Sequence, residues 1–134
     1  MAIFDKAQAY LEEVSSTLQY YREQIETVRT ALVNTGVDMS KFKNYPYGFQ
    51  SSPSADNLFD AVVRIIDFEV KLSIKTAEAT DVINQLSDTS QRRILISLYV
   101  ENGKMSEISK TLNCSMRNIF RLKTKAMVQL SKFI

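Results

Sequence analysis

The sequence predicts an all-α protein, in which a long helical hairpin is followed by a short helix-turn-helix unit. Apolar residues recur every three or four positions over long stretches, which is the spacing of one face of a helix. Only three glycines and two prolines occur among the 134 residues, so the turns that many short strands require are scarce. A hydrophobic content of 45% is sufficient for a packed core.

The first predicted helix is about 30 residues long, or roughly 45 Å, and has one continuous apolar seam. Steps of three and four residues alternate along this seam, as in a coiled coil. A single amphipathic helix is marginal in water, so a partner helix is expected to cover the seam. The residues of the seam are Phe4, Ala7, Leu11, Val14, Leu18, Tyr21, Ile25, Val28 and Leu32.

A second long helix is predicted to start near Ser54 or Asp56, either of which can cap it, with Pro53 ahead of the cap. One apolar stripe should face the first helix in an antiparallel hairpin: Leu58, Val62, Ile65, Leu72, Ala79, Ile83 and Leu86. Since the first helix can bury only one stripe, an adjacent second stripe predicts self-association, or docking of the C-terminal unit. The oligomerisation residues expected on this second stripe are Phe59, Val63, Ile66 and Val70.

The loop of about 20 residues between these helices is longer than most. It contains an aromatic segment, Tyr45-Pro46-Tyr47-Gly48-Phe49. Two interpretations remain open: the segment closes the tip of the hairpin as a hydrophobic plug, or it contacts another protein such as a polymerase subunit.

The charge of the chain is divided between its two parts. Residues 1–86 contain eight Lys/Arg and twelve Asp/Glu, a net charge of −4, whereas residues 87–134 contain nine Lys/Arg and three Asp/Glu, a net charge of +6. A polyanionic partner is therefore expected for the second part only. We expect residues 1–86 to form the hairpin and to serve assembly, and residues 87–134 to form a DNA-binding domain.

Three helical elements are predicted in the basic part. The polar segment 87–90 offers several N-caps for the first of them, and Asn102-Gly103 is a suitable C-cap. The apolar residues between these limits have helical spacing: Ile94, Leu95, Leu98 and Tyr99.

The segment MSEISKTLNCSMRNIFRL at 105–122 satisfies the steric requirements of a helix-turn-helix. Ser109 is small enough for the point where the two helices approach, and Asn113 tolerates the left-handed backbone of the turn. Ser115 can cap the second helix. Apolar residues then face inward on both sides of the turn: Ile108, Leu112, Cys114, Ile119, Leu122, Ala126 and Leu130. Cys114 is expected to be a small buried residue, with a redox-sensing thiol as the alternative.

Polar residues on the outer face of the second helix are candidates for reading DNA. Arg117, Arg121 and Lys125 recur every four residues and form one basic stripe, with Asn118 beside it. Arginine pairs with guanine and asparagine with adenine in the major groove, so these four residues are the expected base contacts. The expected phosphate contacts are Arg92, Arg93, Lys104, Lys110, Ser115, Lys123 and Lys132. The alternative is an ordinary helical corner with a solvated basic face.

A set of residues between positions 98 and 130 matches a known pattern: Leu98-Tyr99, Gly103, Ser106-Glu107-Ile108, Leu112, Ser115, Ile119, Lys125-Ala126 and Leu130. With these residues, the C-terminal part resembles region 4 of bacterial sigma factors. The upstream stretch AVVRIIDFE at 61–69, followed by a coiled-coil pattern, is similar to small phage- and prophage-encoded proteins of Gram-positive bacteria, the ArpU-like late-gene transcription regulators. The resemblance to the ArpU-like proteins covers roughly residues 55–130 and, in its hairpin pattern, the whole chain.

The resemblance implies a module that reads the −35 promoter element and docks on RNA polymerase. The chain departs from the pattern at Ser109, where alanine is usual, and at Asn113, where glycine is frequent. It also lacks a promoter-melting region, so it cannot replace a sigma factor.

The composition argues against an enzyme. The chain has no histidine, and Cys114 is its only cysteine, which removes the usual zinc sites and the Ser-His and Cys-His nucleophiles. No acid and base pair with a pocket can be proposed, so we expect no catalytic residue, cofactor, metal or small-molecule substrate. Neither a signal region nor an apolar run of membrane-spanning length is present, and a cytoplasmic protein of a bacterial host is expected.

The sequence therefore predicts a sequence-specific regulator of transcription that binds double-stranded DNA as a homodimer, with RNA polymerase as a further expected partner. A dimer is expected because one recognition helix makes too few contacts for high specificity. Two alternatives remain open. One is a small terminase-like subunit that starts DNA packaging, and the other is a module that binds polymerase or a phage protein without reading DNA.

Overall fold

A computed structural model of the chain describes residues 5–34 and 53–134, and the side chains of residues 5–33 and 58–134. Every regular element in these ranges is helical, which confirms the all-α fold class: α1 Asp5–Asn34, α2 Pro53–Ile83, α3 Thr89–Leu95, a π-helical turn Ile96–Val100, α4 Met105–Leu112 and α5 Met116–Leu130. None of the described helices is both long and apolar enough to cross a membrane. The aromatic segment 45–49 lies outside the described residues.

Helix α1 has the length and the apolar seam that the sequence predicts. It contains 30 residues, and the seam residues with described side chains are buried, apart from a half-buried Tyr21. The ring of Tyr21 lies 6.1 Å from the ring of Phe68, measured between centroids. The buried residues of the seam are Ala7, Leu11, Val14, Leu18, Ile25, Val28 and Leu32.

The described residues form two compact units, and the limits of these units differ from the boundary expected at residue 86. One unit contains α1 up to Leu18 together with Ile74–Ile134, and the other lies within Gln19–Ser73. The start of α1 and the end of α2 thus belong with the C-terminal helices. The assembly and DNA-binding roles expected for residues 1–86 and 87–134 stay predictions.

In the unit within Gln19–Ser73, α1 and α2 pack side by side as an antiparallel pair. Ile25, Val28 and Leu32 of α1 form a buried cluster with Ile65 of α2. Arg29 and Glu69 join the helices through an ion pair of 2.6 Å between Nη2 and Oε1. Both of these side chains are nearly half exposed, so the pair contributes at most about 1 kcal/mol. The α2 residues packed against the cluster are Leu58, Ala61, Val62, Phe68 and Leu72.

The predicted cap of α2 was wrong by one turn. The helix begins at Pro53, so Ser54 and Asp56 fall within its first turn rather than ahead of it. Proline is favoured at the first helical position because its missing N–H would have no partner there and its φ is already helical.

The other unit joins both ends of the chain. Ala79, Ile83 and Leu86 are buried there, and so are Ala126, Met127 and Leu130 of α5. The amide of Ala7, in the first turn of α1, donates a hydrogen bond of 3.2 Å to Oγ of Ser131, just after α5. Amides in a first helical turn have no carbonyl partner within their own helix. The Ser131 hydroxyl therefore acts as a cap supplied from a distant part of the sequence.

Replacing Ser131 with alanine should lower the free energy of unfolding by about 1 kcal/mol, because the Ala7 amide loses its acceptor in a partly buried place. Thermal or urea unfolding of the full chain would measure the loss. Ser16, which is exposed in α1, gives the matched control, since Ser16→Ala should be neutral or slightly stabilising. Equal effects of the two changes would contradict the capping role of Ser131.

The π-helical turn after α3 was not predicted. Glu101 donates its amide hydrogen to the carbonyl of Ile96 at 2.9 Å, five residues back, and buried Leu95 and Val100 are five residues apart. The C-cap is Glu101, and the predicted Asn102-Gly103 follows it directly and ends the helix. Asn102 adopts the left-handed backbone with φ 57°, while a Cβ on Gly103 would lie only 2.8 Å from the carbonyl oxygen of Ser97.

Candidate nucleic-acid interface

The three C-terminal helices share a small core that fixes the helix-turn-helix. Ile94 of α3, Ile108 of α4 and Ile119 of α5 are buried together. One residue from each helix thus meets at the centre, as the sequence predicts for the inner faces of α4 and α5. The half-buried residues packed around this centre are Leu98, Met105, Leu112, Cys114 and Leu122.

The turn between α4 and α5 has the predicted backbone. Asn113 adopts the left-handed conformation with φ 54° and ψ 44°. The amide of Cys114 donates to the carbonyl of Ser109 at 3.0 Å, and the Ser109 hydroxyl donates to the carbonyl of Cys114. Serine in place of the usual alanine therefore adds a second hydrogen bond across the turn. Cys114 is half-buried, and its Sγ lies 3.4 Å from the carbonyl oxygen of Leu112.

Ser115 caps α5, as predicted, by accepting a hydrogen bond of 3.2 Å from the amide of Asn118. Ser115 is exposed and its hydroxyl proton is free to be donated. The expected hydrogen bond to a phosphate therefore remains compatible with the cap. The N-terminus of a helix also attracts anions, because its first amides point outward and its dipole is positive there.

The predicted basic stripe lies on the exposed face of α5. Arg117, Arg121 and Lys125 are all exposed, and successive members are about 6 Å apart along the helix axis. The half-buried Asn118 accepts a hydrogen bond of 2.7 Å at Oδ1 from Nη2 of Arg121. This bond orients the Arg121 guanidinium. It also uses one of the two acceptor positions of the amide oxygen with which Asn118 would pair with adenine.

Two of the predicted phosphate contacts are engaged within the protein. Arg92 donates from Nη1 to the carbonyl of Leu86 at 2.6 Å and from Nη2 to Oγ1 of Thr89 at 3.1 Å, which closes the turn between α2 and α3. The half-buried Lys123 has its Nζ 5.7 Å from the centre of the Tyr99 ring, within the range of a cation–π contact. Sequence spacing could not reveal the contact of Lys123, because Tyr99 lies in a different helical element. For Arg92, a separation of three residues from Thr89 allows the bond without requiring it.

The other predicted phosphate contacts are exposed. They are Arg93 on α3, Lys104 and Lys110 at the two ends of α4, and Lys132 after α5. Lys132 Nζ lies 3.4 Å from Oε1 of Gln129, a long contact on the surface. Outside α5, the predicted phosphate contacts therefore remain Arg93, Lys104 and Lys110, whose side chains are exposed to solvent.

Two large apolar residues on α5 were missed in the sequence. Met116 is 41% exposed and Phe120 is 54% exposed, although the opposite face of the same helix is buried. Their separation of four residues places them on one side of the helix. The sequence does contain a signal for this surface: two apolar residues four positions apart, with Phe120 directly after the core residue Ile119.

The second apolar stripe of α2 is exposed, as expected for an oligomerisation surface. The exposed fractions are 52% for Phe59, 46% for Val63, 53% for Ile66 and 51% for Val70. Lys71 and Asp67 form an ion pair of 2.9 Å on the same helix.

Comparison with known families gives one match. The family described as "Protein of unknown function (DUF1492)" matches residues 60–131, which is more than half of the chain and includes α3, α4 and α5. No curated protein and no solved structure matched the chain. Because this match covers more than half of its residues, the chain belongs to the DUF1492 family.

Proposed function

We propose that this protein is a sequence-specific DNA-binding regulator of transcription that places the N-terminal half of α5 in the major groove. The observation that carries the proposal is the exposed pair Arg117 and Arg121, mounted on a rigid turn over a three-helix core. Residues near the start of a recognition helix are the ones that reach base edges.

The geometry of Arg121 supports base reading rather than a general attraction to phosphate. Asn118 holds the guanidinium of Arg121 at 2.7 Å, so less side-chain entropy is lost when it forms a bidentate pair with guanine. We therefore assign guanine contacts to Arg117 and Arg121, and to Asn118 the orientation of Arg121. Lys125, one turn further along α5, would contact a base edge or the adjacent phosphate.

The positive charge of the C-terminal part is a second, independent argument for the proposal. The net charge of +6 on residues 87–134 suits a polyanion, and Lys104 and Lys110 are exposed at the two ends of α4, the helix before α5. The similarity to sigma-factor region 4 and to ArpU-like regulators, given by the motif residues above, favours promoter DNA in a phage or prophage setting.

The test compares Arg121→Ala with Lys110→Ala in the full chain. Arg121→Ala should weaken binding to a duplex selected from a randomised library by about 1–3 kcal/mol and relax selectivity at one base pair. Lys110→Ala should weaken selected and unselected duplexes alike and reduce the dependence of log K on log salt by about one. Fluorescence anisotropy at several salt concentrations measures both effects.

Lys110 is a better control than Lys123, because truncating Lys123 would also remove its contact with the Tyr99 ring within the protein. If Arg121→Ala and Lys110→Ala weaken selected and unselected DNA by the same factor, α5 is a basic surface and not a reading helix. Failure of the wild-type chain to bind any duplex at low salt would reject the proposed function altogether.

We also propose that the protein acts as a homodimer joined through the exposed stripe of α2, here called the α2 stripe (Phe59, Val63, Ile66 and Val70). These positions follow steps of four, three and four, the spacing of a helix–helix seam. They span about 16 Å along the helix. A second copy would cover them by the same self-complementary packing that two-fold dimers use, and two recognition helices would then meet paired half-sites.

A further inference from the structure

The exposed face of α5 carries two parallel ridges of different chemistry. One is the basic stripe described above. The other contains Met116, Phe120 and Thr124, again four residues apart. Phe120 follows Arg117 by three residues and Thr124 follows Arg121 by three, so each of these two lies beside a member of the basic stripe. Met116 and Phe120 are 41% and 54% exposed, and Thr124 is exposed.

The third member of this ridge also presents an apolar group. The Thr124 hydroxyl donates a hydrogen bond of 3.0 Å to the carbonyl of Phe120, one turn back along α5. A hydroxyl used in this way is turned onto its own helix. The methyl group of the exposed Thr124 is therefore left toward solvent, and the ridge is apolar along its length.

We infer that this ridge reads thymine, with Phe120 packing on the C5-methyl group of a thymine beside the guanine that Arg121 contacts. The inference rests on the proposed function and names the second base type that α5 recognises. In the major groove the thymine methyl is the one apolar group on a base edge, and phenylalanine and threonine methyl groups pack against it. Phe120 lies beside Arg117 on the helix surface and only about 1.5 Å before Arg121 along the axis, so its contact falls close to the guanines assigned to these arginines.

The size and the borders of the ridge favour DNA over a protein as the occupant. A phenylalanine side chain offers 150–250 Å² when fully exposed, so the ridge presents on the order of 200 Å² of apolar surface. A stable protein–protein contact buries about 800 Å² on each partner. The ridge is also bordered by Arg117 and Arg121, and this pairing of cations with a narrow apolar strip matches a major-groove edge on which guanine acceptors lie beside a thymine methyl group.

The experiment removes one methyl group at a time from the DNA. The full chain selects its preferred duplex from a randomised library, and each thymine of that duplex is then replaced singly by deoxyuridine, which lacks only the C5-methyl group. Anisotropy gives the dissociation constant of each duplex for the wild type, Phe120→Ala and Phe133→Ala. Phe133 is 48% exposed but lies outside α5, so it serves as the matched control.

At one thymine, deoxyuridine should weaken wild-type binding about fourfold, as expected for losing one buried methyl group. Phe120→Ala should bind the unmodified duplex more weakly and show no further loss at that position, while Phe133→Ala should keep the full fourfold loss. The inference is overturned if no deoxyuridine weakens the wild type, or if Phe120→Ala is as sensitive as the wild type. The first of these outcomes needs no variant and does not depend on folding. If the wild type binds its duplex tightly and selectively but no deoxyuridine substitution changes the dissociation constant, the inference is rejected and the proposed function is unaffected.

Discussion

Replacing both Arg117 and Arg121 with glutamate should lower the affinity for the selected duplex by a factor of about 1,000 or more. Each arginine that pairs with a guanine contributes about 1–3 kcal/mol of discrimination, and both contributions are lost. Like charges placed opposite each other add several kcal/mol of repulsion, here between the new carboxylates and the phosphates. The helix itself should persist, because both sites are exposed and acidic residues near a helix N-terminus are favourable.

The matched control reverses two charges elsewhere. Lys6→Glu with Arg64→Glu changes the net charge by the same amount at exposed positions outside the C-terminal helices, and it should reduce affinity by less than about tenfold through long-range electrostatics alone. Circular dichroism confirms that both double variants remain helical, and light scattering confirms that the control keeps its oligomeric state. Comparable losses in the two double variants would mean that net charge, and not α5, drives binding.

The local parts of the candidate site were predictable because they depend on residues close together in the sequence. Asn113 takes the left-handed turn and Ser115 caps α5, and each follows from intrinsic backbone and hydrogen-bonding preferences. The inner face of α5 follows from helical periodicity in the same way. These features determine which residues of α5 are exposed, so the basic stripe also appears in the sequence.

The partners of individual basic side chains were not predictable. Spacing alone does not distinguish Arg92 and Lys123 from other surface cations, yet Arg92 closes the turn after α2 and Lys123 lies over the Tyr99 ring. The bond between Asn118 and Arg121 is intermediate, because a separation of three residues allows it without requiring it. The π-helical turn has no signal beyond the five-residue spacing of Leu95 and Val100, which a single sequence does not distinguish from chance.

The limits of the compact units determine how the separate assembly and DNA-binding roles can be tested. From the sequence, a fragment of about Asp88–Ile134 is expected to bind DNA alone. The structure groups these residues with the start of α1, through the Ala7–Ser131 hydrogen bond, and with the buried end of α2. Excision would leave apolar surface of α5 uncovered, so weak binding by such a fragment would report instability as much as function. Point substitutions in the full chain separate the two.

Ile66→Lys should convert the proposed homodimer to a monomer, with a dissociation constant raised at least about 100-fold. By two-fold symmetry the substitution places two lysines in one interface, and burying an unpaired ammonium group costs several kcal/mol. Folding of the protomer should be little affected, because Ile66 is 53% exposed in the single chain and lysine is a good helix former. Light scattering and sedimentation over a range of concentrations measure the change.

Val33→Lys is the matched control for this experiment. Val33 is 67% exposed on α1, in the same compact unit but outside the α2 stripe, so the substitution adds the same charge at an apolar residue that is also more than half exposed. It should leave the dimer intact. DNA binding connects the experiment to function: a monomeric Ile66→Lys should bind a single half-site with unchanged affinity and lose the extra affinity for paired half-sites. If the wild-type chain is monomeric at micromolar concentration, or if both lysine variants dissociate equally, the α2 stripe is not the dimer interface.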